Sequence, residues 1–382
     1  MNLAKLKSFC AFNVKDDVLL TDFYCCGYEN PEEYYSDIVN TLLEKGQTLG
    51  EYLHDLLVYS DSPIVAKCSA EPTPALVKAI EYDLSVIKEL VSLTSEQFRK
   101  TLPESEILSE MPAYDNGKFN YDVNYFLDFA RDNGTGIFAK YRAFSFDGEL
   151  KPILKTDSIT LADLKNYEVQ RNQVVENTLC FLHNQPAQNV LLYGDRGTGK
   201  SSTVKAIFNE YKELRMVEVS RNDINVLPEL FEKLGKVNMK FIVTIDDLAF
   251  NENDDRFGTL KAVLDGSLAL KPENILIYAT TNRRKIVRET IADREVSGAD
   301  AIDESMSLSD RFGLFVTFLR PDKQIYLDIV KKLAEDKKIE IPEDRLFAAA
   351  ERFSMRRGGR SPRVAKQFVE WLKGRIELNL EY

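Results

Sequence analysis

Apolar residues recur three and four apart through PEEYYSDIVNTLLEKGQTLGEYLHDLLVYS (31–60) and PTPALVKAIEYDLSVIKELVSLTSEQFRKTL (72–102). That spacing lines one buried face of a helix, so residues 1–150 are expected to be mostly helical. PESEILSEMPAYDNGKFN (103–120) is polar, with Pro and Gly, and reads as a linker or long loop. A short helix is expected near Tyr121–Arg131, and a strand or hairpin over 136–153. The aromatics Tyr34, Tyr35, Tyr52, Tyr125 and Phe126 are read as core side chains, not as a stacking platform.

From about residue 155 the rhythm changes. Short β-rich runs (NVLLYG, RMVEVS, FIVTIDD, ILIYATTN, FGLFVTFL) alternate with helical segments from Lys200, over Leu227–Leu234 and around Thr259–Leu268. Such alternation builds a parallel sheet with helices on both faces. Beyond about 322 the strands stop, and three amphipathic helices are expected in DKQIYLDIVKKLAEDK, EDRLFAAAERFSMR and SPRVAKQFVEWLKGRIEL. The fold class that follows is α/β. A three-layer αβα parallel-sheet core spans 151–320, between a mostly helical domain at 1–150, a candidate for partner recognition, and a helical lid at 321–382.

The 382 residues carry a net charge of −11, so no whole-molecule field draws this chain to phosphate backbones, and nucleic acid is not a favoured partner. Arg352, Arg356, Arg357, Arg360 and Arg363 form the densest basic cluster, but no stacking aromatics interleave with it. No apolar run reaches the ~20 residues of a membrane span, and MNLAKLKSFCAFNVKDD lacks the apolar core of an export signal. A cytoplasmic location with no membrane partner is expected. Five cysteines without CxxC spacing suit reduced thiols, and His54 and His183 alone cannot make a histidine-rich zinc site.

Chemistry concentrates in NVLLYGDRGTGKSST (189–203). Gly194, Gly199, Lys200 and Ser201 fit G-x-x-x-x-G-K-[ST], after an apolar strand and before a helix pattern. Glycines let consecutive N–H groups of Asp195, Arg196, Gly197, Thr198, Gly199 and Ser202 converge on phosphate oxygens. The helix adds its positive end, Lys200 can reach the β- and γ-phosphates, and the Ser201 hydroxyl can ligate Mg²⁺. The competing dinucleotide pattern GxGxxG fails, because no glycine follows Gly197 and Gly199 at the third position. With no guanine-reading NKxD in the chain, ATP with Mg²⁺ is the expected ligand.

Asp246 and Asp247 close the strand FIVTIDD, where ligands gather in open α/β sheets. One carboxylate can hold Mg²⁺ through water while the next orients an attacking water; a pair of helix caps is the alternative. Asn282 closes ILIYATTN, and its polar tip can position the same water.

The order of these motifs resembles an AAA+ ATPase. It is most similar to a bacterial AAA+ family known only as a domain of unknown function, over roughly residues 136–375. NTLCFLHNQPAQNVLLYGDRGTGKSSTVKA, IDDLAF, LKAVLDGSL, IYATTNRRK, SLSDRFGLFVTF and GGRSPRVAKQFV carry the likeness. The resemblance implies Asp246 as the Mg²⁺-side acid and Asn282 as the first sensor. It also implies Arg311 as the arginine that reaches a neighbouring subunit, hence a homo-oligomer, and Arg363 as the sensor on the lid. Read from the residues alone, Arg311 can equally pair with Asp310 or a surface acid, and Arg363 can be solvated. Most AAA+ proteins have Asp-Glu where this chain has Asp-Asp, so Asp247 is one methylene shorter and slow hydrolysis is expected.

Two absences narrow the expectation further. SRNDINVLPEL (220–230) lacks the aromatic and glycine of protein-threading pore loops, and ALKPEN (269–274) is too short for a DNA-translocating hairpin. The mixed-charge connection 284–307 is read as a solvated surface segment, with ordering against a neighbouring subunit as the alternative. The function expected is an Mg²⁺-dependent ATPase acting on an unknown protein client. An ATP-gated binding module without hydrolysis and a DNA-remodelling ATPase are the alternatives.

Overall fold

Each long periodic stretch of the N-terminal part is two helices rather than one. Gly46 takes a left-handed φ of +62° and ends the helix Pro31–Lys45, its N–H meeting the carbonyls of Leu42 and Leu43. Thr48 then starts the helix Leu49–Tyr59 with a capping box: its N–H donates to Glu51 Oε2 at 2.9 Å, and its hydroxyl accepts from the Glu51 N–H at 3.3 Å. Thr94 and Gln97 repeat the device, so 72–102 becomes Pro74–Ser92 and Ser95–Arg99. Local hydrogen bonds end these helices where apolar periodicity alone runs on.

The structure, a computed structural model, describes residues 1–251, 254–265, 272–282, 287–288, 311–378 and 380. It divides into two compact units, Met1–Arg142 and Ala143–Tyr382. In the first, Tyr35, Tyr52 and Phe126 are buried in a core with Phe12, Phe23 and Phe98. Residues 103–120 are not a linker. They pack as a strap on that core, with Tyr114 and Phe119 buried and Asn116 Nδ2 donating to Val91 O and Leu93 O, each at 2.8 Å. Buried Asp83 receives the N–H groups of Cys10, Ala11 and Phe12 at 2.7–2.9 Å and so fixes the N-terminal segment. All five cysteines are free.

The second unit begins at Ala143, earlier than the boundary near 150 expected from the pattern. Strand β1 (Ala143–Phe146) turns antiparallel into β2 (Leu150–Pro152) and joins β4 (Leu214–Val219) in parallel, so this hairpin extends the sheet. The remaining strands are β3 (Val190–Gly194), β5 (Lys240–Ile245), β7 (Ile275–Thr281) and β9 (Leu314–Phe318). The order is β2-β1-β4-β5-β7-β3-β9, parallel except at the hairpin, and β6 (Phe250–Asn251) pairs with β8 (Val287–Arg288) separately. The 284–307 connection otherwise lies outside the described residues, as do residues 307–310 of SLSDRFG.

The sheet is covered on both sides, so its strands read as continuous apolar runs; all seven residues of β7 are buried. The helices Glu168–Leu182 and Lys200–Glu210 bury Val174, Phe181, Val204, Ile207 and Phe208 on one face. The helices Leu227–Gly235 and Asp255–Asp265 bury Leu227, Leu230, Leu234 and Leu260 on the other side of this three-layer core. The three expected C-terminal helices are Lys323–Asp336, Glu343–Arg356 and Pro362–Glu377, around their own core of Tyr326, Val330, Ala350 and Phe368. No described helix is long and apolar enough to cross a membrane. Strand β3 lies between β7 and β9, where strand order reverses, and a crevice opens at its carboxyl end.

Candidate functional site

The glycine-rich loop leaves β3 through a position only glycine can hold. Gly194 has φ +142°, and a Cβ there would lie 1.9 Å from the carbonyl oxygen of Phe318 on β9. Gly199 has φ +100° with open space where its Cβ would be, which is the room a phosphate needs above backbone N–H groups. Lys200 begins the helix that follows and is buried. Its ammonium donates to Gly194 O at 2.7 Å, and to Asp195 O and Asn282 Oδ1 at 2.8 Å each. Burial lowers its pKa from the ordinary lysine value, opposed by the charges of Asp246, Asp247 and Asp195.

The acid pair stands directly across from this lysine. Ser201 Oγ donates to Asp246 Oδ1 at 2.6 Å, and the Thr280 hydroxyl donates to the same oxygen. Asp247 takes a left-handed φ of +55°, its N–H donates to Thr280 Oγ1 at 3.1 Å, and its Oδ1 accepts from Asn282 Nδ2. Asn282 thereby bridges Lys200 and Asp247, joining three motifs from three strands.

One cavity of about 1370 Å³ collects these groups: Arg196 to Ser202, Asp246, Asp247, Asn282 and Arg363 all line it. Gly194 and Asp195 lie beneath, as acceptors for Lys200. The C-terminal bundle closes one side, and the Arg363 N–H donates to Gly197 O at 3.1 Å. A Cβ on Gly197 would come within 3.1 Å of Arg363 Cβ. Arg311 is not among the lining residues; its Nε donates to Asp265 Oδ1, the surface-acid pairing left open by the sequence.

Thr280 and the segment 157–171 escaped the sequence reading. Thr280 had a visible signal, as one of two threonines at the tip of a strand that is otherwise apolar and aromatic. The segment, with Ile159, Asp163, Leu164 and Tyr167 lining the cavity, has no periodicity to mark it. Tyr167 is fixed by its hydroxyl donating to Leu319 O at 2.6 Å and by its ring against Phe318.

The donors suit Mg²⁺ carried by a triphosphate. Ser201 and Asp246 offer hard oxygens side by side, and no group of three or more carboxylate, His or Cys ligands occurs among the described residues. Mg²⁺ is held in that way, by one or two protein oxygens together with phosphate and water.

A family model described as "Protein of unknown function (DUF815)" matches residues 137–376. A probable spastin homolog of Brugia malayi is 24% identical over 171 residues, 38% of this chain and 38% of that one. Magnesium-chelatase subunit ChlI of Olisthodiscus luteus is 37% identical over 87 residues, 22% of this chain and 25% of that one. Among solved structures, the Thermotoga maritima RuvB Holliday junction branch migration motor matches with a TM-score of 0.41 at 16% identity, over 58% of this chain and 66% of that one. The chain thus spans less than two thirds of each of these relatives.

Proposed function

The chain belongs to the family described as Protein of unknown function (DUF815), and from that premise we propose that it is an Mg²⁺-dependent AAA+ ATPase that slowly hydrolyses ATP and couples turnover to movement of its C-terminal bundle. One observation carries this reading: Lys200, the Ser201–Asp246 pair and the Asp247–Asn282 pair converge on one cavity at the carboxyl end of the central strand. The glycine loop holds the phosphates with backbone N–H groups, and Lys200 neutralises charge on the transferring phosphoryl group. Ser201 and Asp246 would hold the Mg²⁺ that accompanies the nucleotide, which would supply positive charge beside the phosphates. Asp247, with Asn282, orients a water and accepts its proton as the water oxygen attacks the γ-phosphorus and the bond to the ADP oxygen breaks. Arg363 adds a guanidinium from the bundle, which ties the bundle's position to the phosphates.

Arg311, paired with Asp265 and apart from this cavity, fits delivery to the site of a second copy in a homo-oligomer. The first unit, which the family match enters only at residues 137–142, is the candidate surface for an unknown protein client. The net charge of −11 argues against a nucleic-acid client.

Phosphate release from ATP, measured with Mg²⁺ and with chelator, tests the reading. Release above buffer that needs Mg²⁺ supports it. Tight ATP binding with no release favours an ATP-gated binding module instead, and a rate that rises with added DNA favours remodelling of nucleic acid. Mixing Lys200→Ala with Arg311→Ala protein tests the oligomer: recovered turnover from two inactive chains is expected, and none is recovered if Arg311 serves its own site.

A further inference from the structure

Strand β5 ends at Ile245, opposite Ala279 of β7, so the next residue of each strand, Asp246 and Thr280, face each other as the ladder stops. Thr280 takes over the hydrogen bonding at that point. Its hydroxyl donates to Asp246 Oδ1 and accepts the Asp247 N–H at 3.1 Å, while its carbonyl accepts the Leu248 N–H at 2.7 Å. Three consecutive residues of the acid-bearing turn are therefore held by one residue of the neighbouring strand. Thr280 is only 5% exposed, and its branched side chain has few rotamers in a strand.

We infer that Thr280 is a positioning residue that aims both carboxylates of the acid pair. The inference rests on the Mg²⁺-nucleotide reading of the cavity and deepens it. With two hydroxyls donating to Asp246 Oδ1, the orientation of that carboxylate is set by Thr280 together with Ser201. Anchoring the Asp247 N–H stabilises the left-handed turn, which directs the shorter acid to Asn282. Only a hydroxyl can donate to one acid and accept from the next peptide through a single atom. Valine, the same shape, can do neither.

The test is a titration of Mg²⁺ against binding of a fluorescent ATP analogue, with turnover and melting curves alongside. Thr280→Val should raise the half-saturating Mg²⁺ about tenfold and lower kcat by about ten- to hundredfold, the size of a lost hydrogen bond to a charged group, with KM for ATP moved less than about threefold. Thr280→Ser should restore both, because it keeps the hydroxyl. If Thr280→Val does not fold, Thr280→Ala carries the same expectation. A folded Val or Ala variant with the unaltered Mg²⁺ midpoint and kcat overturns the inference, as does a Ser variant as impaired as Val. Absence of Mg²⁺-dependent binding in the unaltered chain is a different failure: it removes the nucleotide reading itself, and the inference with it.

Discussion

Asp247→Asn tests the proposed general base with little disturbance elsewhere. Asp247 sits at φ +55°, a left-handed conformation that Asp and Asn both tolerate. The substitution therefore leaves the backbone turn, its N–H bond to Thr280 and an oxygen able to accept from Asn282 Nδ2. What it removes is the negative charge and the capacity to take a proton. General-base catalysis contributes about 10²–10⁴-fold, or about 2.7–5.5 kcal/mol of barrier, so kcat should fall by that factor. Nucleotide affinity should change little, because Lys200 and the glycine loop are untouched; KM then stays level and kcat/KM falls with kcat. Steady-state phosphate release gives kcat, a fluorescence titration gives affinity, and a melting curve confirms the fold. Alanine is the blunter change, since a left-handed Ala adds about 1–2 kcal/mol of backbone strain and confuses stability with chemistry. Turnover within threefold of the unaltered chain, with binding intact, removes Asp247 as the base.

Other expectations follow from particular contacts. Lys200→Ala should abolish measurable ATP binding; retention of affinity within tenfold in a titration would place the phosphates elsewhere. Gly194→Ala drives a Cβ to 1.9 Å from Phe318 O at φ +142°, so overpacking and backbone strain together should cost about 3–5 kcal/mol and lower Tm by roughly 6–20 °C. Gly199→Ala meets nothing within 4 Å and should lose only the strain part while still impairing nucleotide binding. Asp22 is buried, its Oδ2 lacks a partner among the described residues, and burial, followed by repulsion from Asp37 and Asp17, raises its pKa from 3.8 to about 6. A raised acid pKa favours the fold fully below the unfolded value and loses that contribution as pH rises through the folded one. Asp22→Asn should therefore be the more stable chain at pH 7, by on the order of 3 kcal/mol, with the gap closing below about pH 4; denaturant midpoints that do not change with pH between the two chains would refute it.

Residue pattern alone located the sheet, the order of its main strands along the chain and the glycine-rich loop after β3. A strand buried on both faces must be apolar throughout, and a loop that cradles phosphate must be rich in glycine. Lys200, Ser201, Asp246, Asp247 and Asn282 stand out because each lies at the carboxyl end of such a strand or one turn beyond it, and all five line one cavity. Helix ends were less legible: Gly46 and the Thr48 and Thr94 caps interrupt patterns whose apolar spacing continues across them. The hairpin 143–152 was visible as a hairpin but not as part of the sheet, since pairing with β4 is a choice of partner made some seventy residues away.

What only the tertiary structure decided is which atoms meet. Thr280 lies thirty-four residues from Asp246, and it is the register of β5 on β7 that brings the two together. Arg363 reaches the glycine-rich loop because the bundle folds back onto it, and residues of 157–171 line the same cavity. Secondary structure follows from periodicity, a property of neighbours in sequence. Hydrogen-bond partners across a parallel sheet depend on register and crossover, which no local pattern encodes.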